Sequence, residues 1–89
     1  MAYFEETSFE QIAGAAQGGA PDALFQLGLM YCAGRDVPMD LVVAHKWFNI
    51  AAVRGNDDAK RYRMELAAEM SKTEIARAQK LAREWIRAH

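Results

Sequence analysis

Ala15-Ala16-Gln17-Gly18-Gly19-Ala20-Pro21-Asp22-Ala23 is written again, loosely, as Ala51-Ala52-Val53-Arg54-Gly55-Asn56-Asp57-Asp58-Ala59, 36 residues later. Both leading alanines, the second glycine, the second acid and the closing alanine coincide. The shared content is physical. A helix ends, and a glycine takes the left-handed stop conformation that other residues adopt only at a cost. An acid complements the positive end of the next helix, and a small residue sits where two helices touch. A helix–turn–helix unit repeated at this length cannot bury its apolar face alone, so neighbouring units stack.

Working outward, the apolar spacing is helical and shows no sustained alternation of the strand type. Ser8 and Gln11 have capping-box spacing, and Phe9, Ile12, Ala13 and Ala16 follow on one stripe up to Gly18-Gly19. Pro21 suits a first helical residue. Pro21–Ala33 is then apolar nearly all round and needs cover on more than one side. Gly34 closes it, and Arg35-Asp36-Val37-Pro38 is a connector, because Pro38 cannot continue a helix. A third helix is predicted over about Asp40–Arg54, with Leu41, Ala44, Trp47, Phe48, Ala51 and Ala52 on one face. Asn56 caps a fourth, whose inner stripe is Ala59, Tyr62, Leu66 and Met70. Ser71 and Glu74 form a second capping box, opening a helix over about Lys72–Arg87 with Ile75, Ala78, Ala82, Trp85 and Ile86 inward.

Ala23, Leu27-Gly28, Tyr31 and Gly34, then Val37-Pro38 and Asp40, then Ala44, Trp47-Phe48, Ala51-Ala52 and Gly55 stand in an ordered pattern. It resembles one full Sel-one-like repeat, a relative of the tetratricopeptide repeat. The resemblance covers residues 20–55, and 8–19 resemble the second helix of a preceding unit. Residues 56–89 resemble a degenerate first helix followed by a capping helix, and 1–7 form an N-terminal tail. It implies one all-α domain over 1–89, a short α/α superhelical solenoid of about five antiparallel helices. The following unit departs from the pattern: at the 36-residue offset Leu27 becomes Arg63, Gly28 becomes Met64 and Tyr31 becomes Ala67. A basic outer face on Lys72–Arg87 suits a terminal cap. That cap, with Met1 at the start, argues against a fragment of a longer array.

The 89 residues are 52% hydrophobic and 26% charged with net charge −1, too apolar and too neutral for a disordered chain. One cysteine rules out an internal disulfide framework and a Cys-rich zinc site. Residues 1–44 carry six acids and one base (−5), and 45–89 carry ten bases and six acids (+4). Such an asymmetry can steer a partner or favour head-to-tail stacking of copies. Neither a signal peptide nor a membrane span is read, so the expected location is cytoplasmic.

No catalytic, metal or cofactor set can be assembled, and an enzyme is not expected. Cys32 and His45 lack a third and fourth metal ligand and read as a satisfied, partly buried pair. Asp57-Asp58 read as helix-dipole partners. Arg63 reads as a snorkelling side chain or as an anchor for an acidic partner. In tetratricopeptide-like proteins the first helix of each pair contacts peptides. That resemblance implies a non-catalytic protein–protein interaction module that binds a protein or peptide on its concave face. The candidate partner-binding residues are Asp22, Phe25 and Leu29 on one helix (Cys32 shares their face) and Arg61 and Glu65 on the other, beside Asp58 and Ala68. A neighbouring helix or a second copy covering Phe25 and Leu29 is the competing reading. The alternatives are a homotypic assembly unit, such as a homodimer, and a nucleic-acid or anionic-membrane binder acting through Lys72, Arg77, Lys80, Arg83 and Arg87.

Overall fold

Local hydrogen bonds set where the helices start. The computed structural model describes residues 8–89, so the tail over 1–7 lies outside the described residues. Those residues form five helices and no strand: α1 (Phe9–Gln17), α2 (Pro21–Ala33), α3 (Leu41–Val53), α4 (Asp57–Ala67) and α5 (Lys72–Ala88). The Ser8 hydroxyl accepts from the Gln11 N–H at 3.1 Å, and the Gln11 side chain accepts from the Ser8 N–H at 3.0 Å. Ser71 and Glu74 repeat the exchange at the head of α5. Asp40 and Asn56 cap α3 and α4 by accepting from the Val43 and Ala59 N–H groups. Helix α2 has no side-chain cap and starts on Pro21, which has no N–H to satisfy.

The two matching turns are built alike. Gly18, Gly19 and Ala20 donate to the carbonyls of Gly14, Ala16 and Ala15; Arg54, Gly55 and Asn56 donate to those of Ile50, Ala52 and Ala51. Each bond of the first turn is matched 36 residues on. Gly19 (φ 86°) and Gly55 (φ 108°) hold the left-handed position in each. The turns also touch: a Cβ on Gly19 would lie 2.8 Å from Nη1 of Arg54.

Helix α3 packs against α2, α4 and α5, while α1 packs against α2. This corrects the expectation of a single inward face on α3. Val42, His45 and Ile50 are buried as fully as Ala44, Phe48, Ala51 and Ala52, whereas Leu41 and Trp47 are half-buried. A helix with neighbours on three sides buries more than one stripe. One apolar cluster joins Ile12 and Ala16 of α1, Leu24, Leu27 and Met30 of α2, and Ile50 and Ala51 of α3 to Ala59, Ala82 and Trp85. A second gathers Val42, Ala44, Phe48, Leu66, Met70 and Ala78. Phe25 and Tyr31 pack against both. Burying side chains such as Leu24, Phe48 and Ile50 supplies about 1.5–3 kcal/mol each.

Gly28 lets the Phe48 ring lie directly on α2. Helix α4 offers Met64 at the equivalent place, and that side chain is exposed. Helix α5 lies chiefly on α3 rather than on α4. Its Trp85 ring meets Trp47 edge to face at 6.0 Å. The His89 ring stacks on Trp85 at 3.8 Å, with its Nε2 2.8 Å from Oε1 of Gln17, so the end of α5 reaches the end of α1.

Candidate functional site

Two side-chain contacts join α2 to α4, and their order along the two helices makes the pair parallel. At the leading end the Asn56 side-chain amide donates to Asp22 at 3.1 Å. Midway, Phe25 meets Tyr62 edge to face at 5.1 Å. Toward the far end the Glu69 carboxylate acts on Cys32, whose pKa is raised chiefly by burial and secondly by this charge. The thiol therefore stays protonated at neutral pH.

The expected residues hold different positions. Phe25 is half-buried and also packs on Phe48 at 5.7 Å, so most of its ring belongs to the core. Leu29 is half-buried, and beside Ile12, Gln26 and Arg35 it lines a hollow of about 140 Å³ toward α1. Asp22, Arg61 and Glu65 are exposed. Arg61 reaches Asp58 at 3.7 Å and lies over the Tyr62 ring at 5.3 Å. Sequence reasoning missed two members of the face. Tyr62 scores as an inner residue by periodicity, and Glu69 lies beyond the regular part of α4. Extending the 36-residue comparison past the helix end would have brought Glu69 near Cys32.

Arg63 is half-buried, and its Nη1 donates to Asn49 of α3 at 2.6 Å, a part-buried tie between α3 and α4. His45 is 2% exposed, and its Nδ1 has no hydrogen-bond partner among the described residues, which corrects the expectation of a satisfied pair with Cys32. Burial first, and the Arg63 charge second, lower its pKa. Among the described residues no group of three or more His, Cys, Asp or Glu side chains is placed to hold a metal ion. None of their helices is long and apolar enough to cross a membrane. On α5, Lys72, Arg77, Lys80, Arg83 and Arg87 are all exposed, with Lys80 4.0 Å from Glu84. Set against protein-family models and against curated proteins, the chain matches none.

Proposed function

We propose that this chain is a non-catalytic protein-interaction module, a short Sel-one-like α/α solenoid that takes a peptide or protein segment on the face shared by α2 and α4. The observation that carries this reading is the parallel register of the two helices, with Asp22 against Asn56 and Phe25 against Tyr62. Stacked units place their first helices side by side in this way, and such rows make a continuous binding surface. The duplicated turn hydrogen bonds support the stacking half of the proposal. A lone half-buried cysteine suits a reducing, cytoplasmic setting.

Panning a random peptide library on the full chain tests the binding half. Phe25 is too deeply engaged with Phe48 and Tyr62 to serve as a clean probe. Exposed Ala68, 36 residues after Cys32, is a better one, because Ala68→Trp adds a bulky ring just past the end of α4. Enriched peptides should lose binding to Ala68→Trp and weaken with Glu65→Ala, while far-UV circular dichroism stays unchanged. Peptides that bind all variants equally, or no enrichment at all, would remove the proposal.

A further inference from the structure

The α2/α4 face has a sign. Its floor is apolar and half-open: Phe25, Leu29, Cys32 and Tyr62 are each partly exposed. Its rim is acidic. Asp22 stands at the leading end, and Glu69 acts on Cys32 at the other. Stepping about 100° per residue puts Asp58 and Glu65 roughly 20° apart, on the flank of α4 that holds Tyr62. Against these four acids stand two bases, Arg61 beside Asp58 and Arg35 beside Leu29; the sum is −2. Lys60 projects from the opposite flank of α4 by the same stepping, and Arg63 is tied to Asn49.

Resting on the reading of this face as a binding surface, we infer that its occupant is a basic amphipathic segment of another protein. Its apolar side chains lie along Phe25, Leu29 and Tyr62, and its Lys or Arg side chains pair with Asp22, Asp58, Glu65 and Glu69. From Asp22 to Cys32 helix α2 rises about 15 Å, which two to three turns of a bound helix span. Acidic ligands are turned away by the excess negative charge of the rim. Because the rim charges face water, the attraction is screened over about 10 Å at 0.1 M salt, and binding weakens as salt rises.

Fluorescence anisotropy on the full chain separates the outcomes. Three labelled peptides of equal length are compared: a leucine stripe flanked by lysine and arginine, the same stripe flanked by glutamate, and the basic peptide with its leucines replaced by serine. The first should bind at least about tenfold more tightly than the others and weaken several-fold between about 50 and 300 mM salt. It should also lose about tenfold in the Glu65→Lys/Glu69→Lys variant, and part of that in Glu65→Gln/Glu69→Gln, should the reversal disturb folding. Equal binding of basic and acidic peptides, both blocked by Ala68→Trp, would leave the binding face standing and overturn its charge preference. Basic-peptide binding untouched by all these changes would put the contact elsewhere and overturn the inference. A salt-sensitive dimer abolished by Arg77→Glu/Arg83→Glu would overturn it too, making a second copy the occupant. Binding of none of the three peptides would overturn the inference, and the binding face would then stand or fall by the library panning.

Discussion

A methyl group added to Gly28 would lie 2.4 Å from two carbons of the Phe48 ring, and that ring is fully buried with nowhere to retreat. Gly28→Ala should therefore cost about 1–3 kcal/mol in urea unfolding, although alanine is the better helix former. His45 gives a second expectation at this scale. Its folded pKa lies below the ordinary 6.5, so the unfolded chain takes up the proton first as pH falls. The contribution is complete above about pH 6.5 and is lost as pH drops below it. The urea midpoint should fall between about pH 7.5 and pH 5, and fall less in His45→Leu. Gly28 was legible only as a member of the repeat pattern, in which it stands after Leu27 and before Tyr31. The solitude of His45 was not, because a side chain's hydrogen-bond partners depend on which helices surround it.

At the level of helices, capping chemistry is local and was readable residue by residue: Ser8, Asn56 and Ser71 all do what their spacing implies. Ser71→Ala should cost about 1 kcal/mol, seen as a lower thermal midpoint, because a first-turn N–H loses its acceptor. The seating of α5 was only half legible. Its apolar arc was plain, but the arc does not say which neighbour receives it; the meeting of Trp85 with Trp47 decides that in favour of α3. Trp85→Ala should cost about 3–5 kcal/mol, a large share of the stability of so small a domain. Measured by far-UV circular dichroism, this variant should be substantially unfolded near physiological temperature. The multi-sided burial of α3 escaped the sequence for the same reason, since a stripe analysis assumes one covered face and α3 has three neighbours.

In the molecule as a whole, the two apolar clusters are stitched together by Phe25 and Tyr31, each packed against both. They should melt as one unit. Indole fluorescence, which reports Trp47 and Trp85 in the first cluster, should give the same urea midpoint as circular dichroism, which reports every helix. Separate midpoints would mean that the stitching is too weak to couple them. The candidate face was visible in outline as two stretches of sequence, α2 and α4, at matching spacing. Its sign was not, because opposite charges cancel in a composition sum, and only the register of Asp22, Tyr62 and Glu69 sorts the acids onto one flank.

The twin turns have one more consequence. Because the three bonds donated by Gly18, Gly19 and Ala20 have counterparts at Arg54, Gly55 and Asn56, the chain offers two equivalent points at which it could be cut and rejoined. Joining Gly55 directly to a second Ala20 would splice in a whole extra brick, and joining Gly19 to Asn56 would take one out. The molecule carries its own ruler, graduated every 36 residues, by which it could be lengthened or shortened.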